Sequence, residues 1–262
     1  MLVLFLLLFS LAVAGAAQDE SASGTAEPQW DGTLRRILVP ILMYHYISEP
    51  PADADIYRTD LSVPPGLFRE HLAYLRDNGY TPIRLDDLYA ALQTGAPLPP
   101  RSVILTFDDG YEDNFANAFP LLREFGFSGT FFVMTSGPDS GNTAYMTWAQ
   151  IAEMAAAGMQ MESHTRDHPD LRGRDGDFLV YQLLGPVESL TAYTGQRPRH
   201  FAYPAGEYDE AVLAMLRSLS VQTAVTTEYG VLHTSDAPLE LPRIRVRNST
   251  DVATLAALLN GS

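Results

Sequence analysis

A chain of 262 residues with 46% hydrophobic side chains is long enough to bury a sizeable core, and its composition suits one α/β domain. A formal net charge of −15 argues against a nucleic-acid partner, which would need a basic footprint. There is no cysteine, so disulfides, a catalytic thiol and a lipid-bearing cysteine are all excluded.

In chain order, residues Met1 to Ala17 are apolar apart from Ser10 and end in small residues. They are expected to be a signal peptide, cleaved after Ala16 or Ala17. No Lys or Arg precedes the apolar run, so an uncleaved N-terminal anchor is the alternative, although the run is short for a span. Either route implies export, to the periplasm or outside the cell. Residues 18–36 follow as a linker, polar and small through Thr33, and 37–262 form the domain. Strand-like runs are predicted at Ile37–Ile47, Ser102–Phe107, Gly129–Met134, Met159–Ser163, His200–Tyr203, Val221–Thr226 and Leu241–Val246. Helical patterns alternate with them at Gly66–Asn78, Leu85–Gln93, Asn114–Phe125, Trp148–Ala157, Asp177–Tyr193, Glu210–Ser218 and Val252–Leu259. Pro186 is expected to kink or split the fifth helix. Strands rich in Val, Ile and Phe without alternation suit a parallel sheet covered on both faces. Seven such alternations predict a closed or nearly closed α/β barrel.

Chemistry in such barrels gathers at the carboxyl ends of the strands. The first strand ends at His45, the second at Asp108 and Asp109, the fourth at His164, and the fifth runs into Tyr203-Pro204-Ala205-Gly206. In 102-SVILTFDDGYEDN-114, Asp-Asp-Gly suits a chain reversal with Gly110 at positive φ. Residues 163-SHTRDHPDL-171 hold histidines at i and i+4, a spacing that brings two imidazoles onto one ion. Pro169 disfavours helix at His168, so a short turn is expected there. Two imidazoles and one carboxylate form a facial metal site with positions left for water and substrate.

The ordered motifs "TFDDG", "MTWAQIAEMAAAGMQMESHTRDH" and "FAYPAGEYD" resemble the polysaccharide deacetylases of carbohydrate esterase family 4, the NodB-homology group. The resemblance runs from "MYHYI" to "LPRIRV". It implies a distorted (β/α)7 barrel, Asp108 as general base, and one divalent metal, usually zinc, on Asp109, His164 and His168. It also implies an oxyanion donor in the loop Tyr203–Gly206, with the amide of Ala205 the best candidate. Adjacent carboxylates do not cheaply both ionise without a cation, which agrees with that division of labour.

The pattern also departs from the family. Ala202 stands where many members carry an arginine, and the Asp/Trp motif and the late "LxH" motif are absent. "ILMYHYI", "FAYP" and "LPRIRV" resemble the branch acting on poly-N-acetylglucosamine, where the acid histidine comes from the first strand; His45 fits that role. His233, in what is expected to be a polar loop at 226–238, is the competing acid. Arg243 has two readings, an ion pair at the rim or the group that orients Asp108. His71 is expected at the surface and His200 in a local hydrogen bond. Tyr44, Tyr46, Trp148 and Tyr203 are expected in the core, with one or two available to stack on a sugar ring. The function implied is metal-dependent removal of acetyl groups from N-acetylhexosamine units of an exported polysaccharide. The alternatives are an O-acetyl esterase of the xylan type and a carbohydrate-binding protein without turnover.

Overall fold

The computed structural model describes residues 28–260, so the expected signal peptide and residues 18–27 of the linker lie outside the described residues. Pro40 lacks the N–H a ladder needs, and it divides the first apolar run into β1 (Arg36–Leu38) and β2 (Ile41–Tyr44). Two helices, α1 (Ile56–Asp60) and α2 (Pro65–Asp77), lead to β3 (Thr81–Pro82), α3 (Leu85–Thr94) and β4 (Ser102–Phe107). The chain continues through α4 (Phe119–Phe125), β5 (Thr130–Val133), α5 (Ser136–Ser140), α6 (Trp148–Ala156) and β6 (Gln160–Ser163). Then come α7 (Gly176–Thr194), β7 (His200–Ala202), α8 (Glu210–Ser218), β8 (Thr223–Tyr229) and β9 (Leu232–Thr234). The last two elements are β10 (Leu241–Arg245) and α9 (Val252–Leu259).

Seven parallel strands close a ring in the order β2, β10, β8, β7, β6, β5, β4, and the pairing of β2 with β4 completes it. β3 adds to the edge of β4 at Thr81 and Pro82. The expected seven-stranded barrel is the fold. Alternation along the strands sorts the residues. Leu105 and Phe107 of β4, Phe131 of β5 and Met161 of β6 point outward into the main core beneath the helices. Ile41, Ile104, Phe132, Ala202, Val225 and Leu241 fill the barrel interior.

Four sequence expectations are corrected. His71 is fully buried: it lies three residues after Phe68 and four before Leu75 on the apolar stripe of α2. Its Nε2 donates to the Thr250 carbonyl at 2.8 Å and its Nδ1 accepts from the Tyr44 hydroxyl at 3.2 Å. Burial pushes it down to about 4, so it is a neutral core histidine. Residues 31–36, expected in the linker, are bound to the barrel: Asp31 N–H and the Arg35 guanidinium both bond the Gln93 carbonyl. The stretch 226–238 is largely strand, with β9 pairing antiparallel to β1. The fifth predicted helix is not split, and α7 runs unbroken through Pro186.

The seam between β6 and β7 is thin, with the single register pair Ser163–Phe201. Beside it, Glu162 accepts the N–H groups of Arg199 and His200, each at 2.8 Å. Burial, with the Asp86 charge adding to it, outweighs these bonds and pushes the Glu162 carboxyl up to about 7. Its ordinary value is 4.5, so the contribution of this group to stability is complete below pH 4.5 and lost as pH rises through 7. Wild type should therefore lose about 3 kcal/mol relative to Glu162→Gln across that window, measured by urea unfolding at a series of pH values. Parallel stability curves would show that the carboxyl ionises freely.

Candidate active site

β4 ends in Asp108 and Asp109, whose side chains take different partners. Asp108 follows the inward face of Ile104 and Thr106, and only 2% of it is exposed. The fully buried Arg243 donates to both its oxygens, at 2.8 and 2.7 Å. The Nε–H of Arg243 reaches the Thr226 carbonyl at 2.9 Å and a second Nη1 hydrogen reaches Thr106 Oγ1 at 3.1 Å, so all three guanidinium nitrogens are engaged. Burial alone would raise the Asp108 carboxyl. The charge and bonds of Arg243 outweigh it and hold the group below its usual range. Arg243 and Asp108 thus form a buried ion pair inside the barrel, not one at its rim.

The strand then reverses through two left-handed residues, Asp109 at φ 74 and Gly110 at φ 78. A Cβ on Gly110 would meet Val133 Cγ1 at 3.2 Å, so glycine satisfies both the turn and the packing. The turn aims Asp109 at two histidines. Its Oδ1 lies 3.3 Å from His164 Nε2 and 3.6 Å from His168 Nε2. Burial opposes ionisation of Asp109, but the His164 bond and the nearby histidines hold it well below the usual carboxylate range.

His164 extends the inward face of β6. Its Nδ1 lies 2.7 Å from the Ala202 carbonyl, which can only accept, so this nitrogen carries the hydrogen. Nε2 faces Asp109: burial would lower this imidazole, but the Asp109 bond and the charges of Asp108 and Asp109 outweigh it and raise it above its ordinary value, so a proton sits where a bound cation would replace it. Ligand atoms about 2.1 Å from a tetrahedral zinc ion lie roughly 3.4 Å apart, close to the spacing seen here. All three ligand atoms fall within 4.8 Å of one another. The donor set and the spacing fit a divalent metal. The histidines do not converge through a helical turn. Thr165 at φ 66 and His168 at φ 56 are both left-handed, and Thr165 Oγ1 accepts the His168 N–H at 2.9 Å.

His45 follows β2 into the same mouth and is 9% exposed. Burial pushes its imidazole below the ordinary value, against the raising effect of Asp108 and Asp109. Its Nδ1 has no hydrogen-bond partner among the described residues. Two asparagines that sequence reasoning missed hold this loop: Asn114 donates to the His45 carbonyl and Asn117 to that of Ile47, both at 2.8 Å. They stand on a π-turn, Asn114–Ala118, that begins the helix after the twin aspartates.

The other expected residues separate. Ala205 sits at φ 53 in a 3₁₀ turn whose first bonded amide is Gly206, so its N–H precedes the ladder. A Cβ on Gly206 would collide with Thr227 Oγ1, because this turn lies close against β8. The Tyr203 side chain is turned away from the mouth: it is fully buried against Phe201 and Tyr208, and its hydroxyl donates to the Leu239 carbonyl. His233 is 1% exposed on β9 and its Nε2 donates to the Val39 carbonyl, ahead of β2 and away from the carboxyl ends of the strands. Tyr44 is core, as expected. Tyr46 instead joins a stack with Tyr111 at 3.7 Å, and Tyr145 lies 5.3 Å beyond Tyr111. The charge of Asp109 reaches all three hydroxyls. Tyr111 follows the Asp-Asp-Gly turn directly, which was the signal available for it.

The profile of the family described as polysaccharide deacetylase matches residues 95–224. YxkH of Bacillus subtilis, named as a polysaccharide deacetylase, is 32% identical over 217 residues, covering 83% of this chain and 74% of that protein. The poly-beta-1,6-N-acetyl-D-glucosamine N-deacetylase of Escherichia coli is 25% identical over 256 residues, covering 82% of this chain but 37% of the longer protein. The Streptococcus pyogenes deacetylase PplD, solved with acetate, superposes with a TM-score of 0.79 at 29% identity, covering 86% of this chain and 99% of that one. With the barrel and the convergence of Asp109, His164 and His168 already established, these similarities assign the chain to the polysaccharide deacetylase family.

Proposed function

We propose that the protein hydrolyses the acetamide groups of N-acetylhexosamine units in an exported or cell-surface polysaccharide, using one divalent ion, zinc, on Asp109, His164 and His168. The observation that carries this reading is the division between adjacent aspartates, one locked to Arg243 and the other facing two imidazoles. Similarity to poly-N-acetylglucosamine deacetylases supports the amino-sugar substrate. Among the described residues no helix is long and apolar enough to cross a membrane, and export rests on the N-terminal segment.

The bound ion would supply Lewis-acid polarisation of the acetyl carbonyl and ease deprotonation of the attacking water. Asp108 takes the water proton. Each of its oxygens gives one lone pair to Arg243 and keeps another, so the bidentate grip orients the base without consuming it. The Ala205 amide, outside the 3₁₀ ladder, donates to the oxyanion as the carbonyl carbon becomes tetrahedral. His45 gives its proton to the departing sugar amine, since an unprotonated amide nitrogen is a poor leaving group. The Tyr46–Tyr111–Tyr145 stack offers an aromatic wall beside Asp109 for a sugar ring.

Acetate release from N-acetylglucosamine oligomers, abolished by chelator and restored by zinc, is the direct test. Release from acetylated xylan alone would make the protein an O-acetyl esterase, and no release from any acetylated glycan would make it a binding protein.

Asp109→Ala, His164→Ala and His168→Ala should each lose bound metal, measured by elemental analysis of the purified proteins. Asp108→Asn should keep the metal while kcat falls roughly 10²–10⁴-fold; equal metal loss would reverse the roles of the two aspartates. His45→Ala should keep the metal, lower kcat and abolish the high-pH limb of the rate profile, whereas His233→Ala leaves that limb in place.

Arg243→Met should destabilise the fold by roughly 3–5 kcal/mol, because Asp108 is then buried without its counterion. Adding Asp108→Leu should recover much of that loss in denaturant melts while leaving the protein inactive. Independent, additive losses would mean that the two side chains are not coupled.

A further inference from the structure

α7 contains an internal proline, and the backbone group it leaves unpaired is put to use. Pro186 has no N–H, so the carbonyl of Gln182, four residues earlier, has no donor within the helix. The N–H of Arg166 donates to that carbonyl at 3.2 Å. The Gln182 side chain grips the same segment. Its Oε1 accepts from Arg166 N–H at 3.2 Å and Asp167 N–H at 3.0 Å, and its Nε2 donates to Asp167 Oδ2 at 2.8 Å. Gln182 is 2% exposed while Asp167 stands at the surface, so the clamp is anchored in the interior and reaches outward to the loop.

Arg166 and Asp167 are the middle of the segment joining His164 to His168. Its two left-handed residues, Thr165 and His168, hold a conformation that non-glycine residues avoid unless their surroundings over-determine it. The other ties act elsewhere. Ser136 and Thr135 donate to the Arg166 and Thr165 carbonyls, and the Arg166 guanidinium pairs with Asp139. Among the described residues, Gln182 supplies the hydrogen bonds given to the Arg166 and Asp167 amides.

We propose that Gln182, its carbonyl released by Pro186, is a positioning residue that holds the Arg166–Asp167 peptide and so fixes the approach of His168 toward Asp109 and His164. This rests on the reading of those three residues as metal ligands. An unbroken helix of ordinary residues would bond the Gln182 carbonyl internally; the proline turns that oxygen outward as an acceptor for the ligand loop.

The test is zinc affinity of the full chain, measured by competition with a fluorescent chelator, alongside thermal melts of the metal-free protein. Gln182→Ala should weaken zinc binding roughly 10–100-fold, the usual effect of removing a group that orients metal ligands. Pro186→Ala restores an N–H that competes for the carbonyl, so zinc binding should weaken severalfold while the metal-free Tm holds or rises. A merely structural proline would give no such opposition. Gln182→Glu sets a carboxylate against Asp167 and should weaken binding, and adding Asp167→Asn should restore it by reversing donor and acceptor. Zinc affinity within twofold of wild type in both Gln182→Glu and Pro186→Ala would overturn the proposal. Wild-type protein that binds no zinc would overturn the metal reading as well.

Discussion

The buried pair between Arg243 and Asp108 is the constraint on which the mouth of this barrel depends. Their strands are not neighbours, since β2 lies between β10 and β4 in the ring, and the pair crosses the interior above it. Removing two ions from water is costly, and the cost is offset only when geometry is good and the remaining donors are satisfied. Here Arg243 makes two parallel bonds to the carboxylate, and its Nε and Nη1 also reach Thr226 and Thr106, so every guanidinium nitrogen is bonded. Asp108 is thereby kept ionised in a buried position. The next residue, released from the strand, can then take up a separate task.

Backbone strain is concentrated at the same end of the barrel. Asp109, Thr165, His168 and Ala205 all have positive φ without being glycine. Each costs of order 1 kcal/mol relative to a relaxed backbone, so an unsupported loop would abandon it. Support comes from specific bonds: Thr165 Oγ1 to the His168 amide, the Gln182 clamp on Arg166 and Asp167, and Thr227 Oγ1 donating to the Ala205 carbonyl. The rigid ring and its helices carry loops that would not hold these shapes alone. This explains why the candidate ligands converge although the segment between the histidines is neither helix nor strand.

Much of the framework was legible because it is written in local pattern. Strands buried on both faces appear as continuous apolar runs, and the helices between them appear as periodic apolar patterns. The candidate ligands were legible for a related reason, since each lies at or just beyond the end of such a run. The errors were of another kind. His71 was misplaced because its polar character outweighed its position on the apolar stripe of α2. Residues 31–36 looked like linker because their bonds are to partners far along the chain, such as Gln93 and Ser235.

By itself the sequence determined the seven-stranded barrel, the end of the barrel where the titratable groups gather, and the residue types delivered there. Periodicity and strand-end position are properties of neighbouring residues, so they survive in one dimension. Tertiary structure alone decided the partners. Arg243 meets Asp108 across a separation of 135 residues, Asn114 reaches the His45 carbonyl across 69, and Gln182 reaches the Asp167 amide across 15 from a different element. Tyr203 turned into the core and Tyr111 joined the stack beside Asp109 for the same reason. A side chain's partner depends on which strands close the ring and how they are registered, and that is settled only when the whole sheet pairs.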